Sequence, residues 1–298
     1  MEKLTKIKLI TLAFIAIITA IIVFVWIGYS HLNLINKQIA NLENKLASST
    51  EELNLNISKN NKVLVDEINS QRQNIGTIES KLGIYQKEVG DFSTTVNNLQ
   101  KLSKTDPELL AKYSKVFFLN ENYAPARIIE IPNKYKYLDS KILKIQTDTW
   151  PFLQKMIDNA SNVDIPIYVD SAYRSFNEQK ALKSGYKVVY GAGTSNQFSA
   201  DQGYSEHQLG TTVDLLTSGI DGNIDNFEGT KAYTWLNNNA YHFGFVLSYP
   251  KDNKFYVFEP WHWRFVGVKL ATDLHNQNKT FYDMDQRDID AYLVSIFD

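Results

Sequence analysis

From Leu9 to Tyr29 the chain reads LITLAFIAIITAIIVFVWIGY without one charged side chain, and no other feature limits its architecture so severely. About 20 apolar residues, each rising 1.5 Å along a helix, cross a hydrocarbon layer of about 30 Å. The run therefore predicts a transmembrane anchor over residues 9–29. Lys3, Lys6 and Lys8 precede it, whereas the uncharged GYSHLNLIN covers its other end. By the positive-inside rule, residues 1–8 form a short cytoplasmic tail and everything after the anchor lies outside the cytoplasm. A cleaved signal peptide fits less well, because the run exceeds an h-region of about 7–15 residues and no clear small-x-small site follows it.

Beyond the anchor, Leu32, Ile35, Ile39, Leu42, Leu46 and Leu53 fall at alternating three- and four-residue spacing, with Ser49 at one seam position. This is a heptad seam. It resumes through Leu64, Ile68, Ile75, Ile78, Leu82, Tyr85, Val89, Phe92, Val96 and Leu99 in a frame shifted by one residue. The polar stretch around Leu53–Asn61 is expected to absorb the shift as a skip or a break. Residues 30–104 thus read as a coiled-coil stalk, either packed on itself or joining copies of the chain as a homo-oligomer. Thr105-Asp106-Pro107-Glu108 resembles a helix start, with Asp106 as N-cap and Pro107 in the first turn. Past it, proline, glycine and aromatic residues rise, and helical patterns alternate with short β-rich runs such as IPIYVDSAY, TTVDLL, FGFVLSY and EPWHWRFV. About 190 residues suffice for one compact α+β core, placed at 105–298.

Composition narrows the chemistry. A net charge of −2 gives no basic face for a polyanion, so a nucleic-acid binder is disfavoured. Cysteine is absent, which removes disulfides, thiolate nucleophiles and cysteine-ligated zinc. Any metal must be held by His, Asp or Glu, and there are only five histidines. Three segments place polar residues inside apolar runs: DSAYRS from Asp170, SEHQLGTTVD from Ser205, and EPWHWR from Glu259. Buried polar groups need a partner or a task. If His207, Asp214 and His262 converge, a zinc ion gains two imidazole nitrogens, one carboxylate oxygen and a fourth position open to water, as in catalytic sites. Gly210 would let the chain turn between loop and strand. A seven-residue His-to-Asp separation arises readily by chance; the combination carries the reading. Glu259, three residues before His262, is close enough to present a carboxylate to a metal-activated water. Arg174 offers a planar fork for a peptide oxygen or a terminal carboxylate. Its alternative is a salt bridge to Asp170 or to Glu178 at the start of the next helix.

Taken in order, SAYRSFNEQ, SEHQLGTTVDL and EPWHWRFVG resemble the S-x-Y-R-S, S-x-H-x-x-G-x-x-x-D and E-x-W-H-x-R blocks of zinc D-alanyl-D-alanine carboxypeptidases of the VanY type and their L,D-carboxypeptidase relatives. The resemblance covers roughly Val116 to Asn276 and extends to KVFFLNENYAPARIIEIP and NNNAYHFGFVLSYP. It implies a hedgehog/DD-peptidase-like α+β domain with a central antiparallel sheet. It also implies one zinc per chain on His207, Asp214 and His262, with Glu259 handling the proton. Arg174 would stabilise the oxyanion or orient the substrate, and Ser205 and Trp261 would shape the pocket. The expected substrates are peptidoglycan stem peptides ending in D-alanine. Thr212 stands where the family carries a small residue, which touches pocket size and not the ligand set. Two other readings compete with hydrolysis: a non-catalytic module that binds wall peptides, and a membrane scaffold acting through its coiled coil. Loss of Glu259 would be expected of a mere binding module, and it is present.

The remaining histidines, His31, His242 and His275, read as structural, His242 by packing and His275 on a terminal helix. Trp150, Trp235 and Trp263 read as core. Tyr186 to Tyr204 reads either as a loop bordering the cleft or as a plain connector. The anchor yields a direct expectation. A reporter fused after Leu99 should be active outside the cytoplasm and sediment with membranes, and a soluble, shortened product would instead show cleavage after residue 29.

Overall fold

The structure, a computed structural model, describes residues 2–112, 117–190 and 200–298. Two compact units divide the chain, Met1–Gly90 and Asp91–Asp298. The first is purely helical. Helix α1 (Glu2–Lys104) runs for 103 residues and buries none of them, and its N-terminal part is long and apolar enough to cross a membrane. Of the skip or break expected near Leu53–Asn61, there is no break. ELNLNISKNNKV contains neither proline nor glycine, so nothing interrupts the i→i−4 ladder, and the seam's one-residue shift remains a change of phase along an intact helix.

In the second unit, Asp106 caps a single 3₁₀ turn, Pro107–Leu110, its carboxylate accepting the Glu108 amide at 3.0 Å. The start signal is used, although only one turn follows. A ribbon of β1 (Ile128–Glu130) and β2 (Lys144–Gln146) precedes α2 (Trp150–Ser161), whose apolar face buries Leu153, Met156, Ile157 and Ala160. The main sheet is built from β3 (Tyr168–Ser171), β4 (Thr212–Leu216), β5 (Phe245–Leu247) and β6 (His262–Phe265), in the order β3-β4-β6-β5. Each neighbouring pair is antiparallel. All four β-rich runs singled out in the sequence supply one strand each. Helices α3 (Phe176–Tyr190), α4 (Lys231–Asn239), α5 (Val268–Asn276) and α6 (Gln286–Asp290) complete the unit.

Side chains alternate across the two central strands, and this positions everything that follows. Val213 lies opposite Trp263, while Asp214 lies opposite His262 and Thr212 opposite Arg264. One face is therefore apolar, and the other carries charge. On the apolar face the Phe265 ring packs 4.7 Å from Phe152 of α2 and 5.4 Å from Phe245 of β5, measured between ring centres.

Several sequence expectations change. Of the tryptophans, Trp263 is core, whereas Trp150 and Trp235 are only half-buried. His242 is exposed and rests against the Tyr241 ring, so it does not pack in the interior. His275 stacks on the other flank of that tyrosine, at 3.7 Å, and its helix α5 is followed by α6, so it is not terminal. Residues 186–190 extend α3 and are not loop; residues 191–199 of the expected cleft border lie outside the described residues.

Gly244 turns the chain into β5 with φ +81°, and a Cβ there would come within 2.6 Å of the Phe265 ring on β6. Gly244→Ala should therefore destabilise the second unit by about 1–3 kcal/mol, seen as a lower urea midpoint by tryptophan fluorescence. An unchanged midpoint would contradict this account.

Candidate metal centre

His207 sits in a buried 3₁₀ turn, Glu206–Leu209, that opens at Ser205 and ends at Gly210. Gly210 adopts a left-handed conformation (φ +70°), and a Cβ would press on Pro125 at 3.0 Å and on the β2 backbone. The turn thus ends tightly against β2, and the chain enters β4 at Thr212, two residues before Asp214. Pairing with β6 then sets His262 directly across from Asp214, and pairing with β3 sets Ser171 on its other side. Ligand atoms of His207, Asp214 and His262 all lie within 4.8 Å of one another, and all three residues are buried.

The hydrogen bonds fix how each ring points. His207 Nδ1 lies 2.8 Å from the Ala172 carbonyl oxygen. A carbonyl can only accept, so Nδ1 carries the proton and Nε2 turns its lone pair to Asp214 Oδ2 at 3.2 Å. His262 Nε2 lies 3.0 Å from Glu206 Oε2, and its Nδ1 lies 3.2 Å from Asp214 Oδ1 and 3.5 Å from Glu259 Oε2. The Tyr249 ring stacks on His262 at 4.0 Å and 11°. Two nitrogens and one carboxylate therefore face a common point, each ring with its far nitrogen anchored. That donor set, with a water-accessible side next to the 22% exposed Glu259 side chain, fits zinc in a catalytic site.

Electrostatics separates the neighbouring groups. Burial would push the Asp214 carboxyl up, but the two imidazoles beside it hold it well below the usual carboxylate range. Burial lowers the His207 imidazole more than Asp214 raises it, and Arg174 lowers it further. Burial also opposes protonation of His262, yet hydrogen bonds to Asp214 and Glu206 raise it to about 10. Glu259 is pushed up to about 7 by burial, the His262 charge resisting and the Asp214 charge assisting.

Arg174 is half-buried and gives its hydrogen bonds to Gln179 Oε1 (2.7 Å) and Ser171 Oγ (2.8 Å). The rival salt bridges are otherwise engaged: Asp170 pairs with Lys141 at 2.6 Å, and Glu178 caps α3 through Ser175. Its charge is felt at both His207 and Glu259, which puts it beside the cluster. Ser205 is buried just ahead of the turn, and Trp261 is half-buried just ahead of His262. Sequence reasoning missed Glu206 and Arg264, both fully buried and paired at 2.7 Å. Each stands inside a quoted block, in SEHQ and in WHWR, but nothing local marks the two as buried partners.

A family model described as VanY, D-alanyl-D-alanine carboxypeptidase, matches residues 143–268, a span that holds Arg174, Ser205, His207, Asp214, Glu259, Trp261 and His262. YodJ of Bacillus subtilis strain 168, whose name assigns it provisionally to the carboxypeptidases, is 30% identical over 64% of this chain and 74% of its own length. The chain belongs to the VanY family of D-alanyl-D-alanine carboxypeptidases. The LdcB LD-carboxypeptidase, solved in a study of peptidoglycan recognition, has a similar structure, with a TM-score of 0.55 and 30% identity over 59% of this chain and 86% of that one. A VanY D,D-pentapeptidase solved with Zn(II) gives a TM-score of 0.50 and 26% identity over 59% of this chain and 97% of that one. VanY-type enzymes are metallopeptidases, and so is this chain.

Proposed function

We propose that the chain is a zinc-dependent carboxypeptidase that cuts the peptide bond before a C-terminal D-alanine of peptidoglycan stem peptides. The observation that carries this reading is Glu259: a carboxylate with a pKa of about 7, 3.5 Å from the inward nitrogen of His262. A zinc ion held by His207, Asp214 and His262 would supply a Lewis acid that polarises the scissile carbonyl and makes water acidic enough to attack at neutral pH. Glu259 takes the proton from the attacking water and delivers it to the departing amine of D-alanine. A pKa near the working pH lets one group serve as base and then acid. Arg174 directs its planar guanidinium at the anionic end of the peptide or at the oxygen that gains charge. Ser205 and Trp261 border that pocket.

The apolar start of α1 is the membrane anchor in this reading, with the second unit outside the cytoplasm where the wall peptides are. The exposed seam from Leu32 to Leu99 joins copies of the chain in a coiled-coil homo-oligomer, since an isolated helix has no other way to cover two regular rows of apolar side chains. The charge balance gives no role for nucleic acid.

The test uses the full-length chain in detergent. It should contain one zinc per chain and remove one alanine from a muropeptide stem, seen by mass spectrometry, and a fully active metal-free chain would end the metallopeptidase reading. Replacing His207, Asp214 or His262 by Ala should deplete zinc, each change taking one of only three protein ligands. Glu259→Ala should keep zinc and lose about 10²–10⁴ in kcat. Arg174→Lys should raise KM if the guanidinium holds the substrate carboxylate, or lower kcat alone if it meets the oxyanion. A Glu259→Ala enzyme with normal kcat would overturn the mechanism even with zinc in place.

A further inference from the structure

Glu206 has no part in the reaction just described, yet it is the most heavily engaged side chain of the second unit. It is fully buried. Its Oε1 accepts from Arg264 Nη1 at 2.7 Å, Tyr282 Oη at 2.7 Å and Ser248 Oγ at 2.9 Å, and its Oε2 faces His262 Nε2 at 3.0 Å. Arg264, equally buried, also donates Nη2 to the carbonyl oxygens of Leu109 and Ala111 at 2.8 and 3.1 Å and lies 4.5 Å over the Phe281 ring. Burying an ion pair costs several kcal/mol per charge, and well-packed apolar residues often serve stability as well or better. Such a pair at this position calls for a task that apolar side chains cannot perform.

We infer that Glu206 is the positioning residue of the metal centre, held by Arg264 so that its second oxygen keeps the His262 proton on Nε2 and turns the Nδ1 lone pair toward Asp214 and the metal. The inference deepens the zinc reading above and rests on it. A neutral imidazole carries one N–H, and the group at one nitrogen decides which. A carboxylate with three donors on Oε1 and the Arg264 charge against it presents Oε2 as an acceptor, so Nε2 is the donor. An amide at the same place cannot do this. The guanidinium of Arg264, the Tyr282 hydroxyl and the Ser248 hydroxyl all seek its oxygen, which leaves the NH₂ facing His262. Nε2 must then accept, and the proton moves to Nδ1, into the place of the metal bond. Tyr249, stacked on the ring, prevents escape by a simple flip. His207 has the same device in a weaker form, with the Ala172 carbonyl in the role of Glu206.

The experiment compares zinc affinity of the full-length wild-type and Glu206→Gln chains in detergent, by competition with a chromophoric chelator, with ¹⁵N spectra of histidine-labelled protein. Glu206→Gln should bind zinc about 10–100-fold more weakly, the range for loss of a partner to a metal-bound histidine, while unfolding as cooperatively as the wild type. Zinc affinity within twofold of wild type would overturn the inference. Should the variant not fold, the zinc-loaded wild type decides alone: its His262 must carry the proton on Nε2, and a proton on Nδ1 overturns the assignment. A wild-type chain that binds no zinc at all would remove both this inference and the function proposed above, whereas wild-type binding unaffected by Glu206→Gln removes only this one.

Discussion

Antiparallel pairing of β4 with β6 is the interaction on which the rest depends. With Val213 opposite Trp263 and Asp214 opposite His262, one register fixes the core and the site together. A slip of β4 by one residue would move Asp214 to the Phe265 side and Val213 out of the apolar face. The apolar face thus specifies the polar one. Burial of Val213, Leu215, Trp263 and Phe265, each contributing on the order of 1.5–3 kcal/mol, holds in place a cross-strand carboxylate and imidazole that would not associate so firmly by themselves. The third ligand reaches the same point from a turn ended by Gly210, outside the sheet, and it is the only one whose position depends on loop geometry.

Around that pair the protein gathers three carboxylates, two imidazoles and two guanidinium groups within a few side chains of each other. Their mutual attraction offsets desolvation only where every donor finds an acceptor. Glu206 accepts on both oxygens, and Asp214 sets one oxygen 3.2 Å from each ring. Tyr282 and the Leu109–Ala111 carbonyls bring segments from both ends of the second unit into the same web. Its ends are thereby tied to the metal centre through Arg264, which is also fixed over Phe281.

Much of this was legible in the sequence, for physical reasons that differ by element. The four strands announced themselves because half-buried strands must alternate, so polar residues inside apolar runs marked the face that carries the site. That His207, Asp214 and His262 would come together was legible mainly through the family resemblance of the three blocks, the lack of cysteine and the few histidines having only narrowed the candidates. The long helix of the first unit was legible as a periodicity, and of the skip or break expected in its seam there is no break, since a phase shift needs no interruption of backbone hydrogen bonds when neither proline nor glycine intervenes. Glu206 was not legible as a buried group: a glutamate beside a ligand looks like a solvated neighbour until Arg264, 58 residues later, is seen to point at it. His242 shows the opposite error, an aromatic context read as burial where the side chain is exposed. Distant pairing and exposure are properties of the fold, and local composition carries neither.

Two glutamates flank the single imidazole of His262, one at each nitrogen, and the environment gives them opposite characters. Burial pushes both toward the neutral acid. At Glu206 the charge of Arg264, then the hydrogen bond and charge of His262, reverse this and hold it at about 2, so it stays an anion at any pH where the enzyme would work. Glu259 has no guanidinium within hydrogen-bond reach, and the neighbouring Asp214 and Glu206 charges add to burial, leaving it at about 7. In the mechanism proposed above, a group that keeps its charge and a group that exchanges a proton in each turnover would thus be made from the same residue type. The difference lies in one buried arginine. The spatial division follows from strand geometry: Glu206 reaches His262 from the turn before β4, on the enclosed side, while Glu259 reaches it from the segment leading into β6, on the side open to water. Exchanging the two environments would leave the ligand atoms in place and still abolish both functions, because a permanently ionised Glu259 could not return a proton and a neutral Glu206 could not hold one on Nε2.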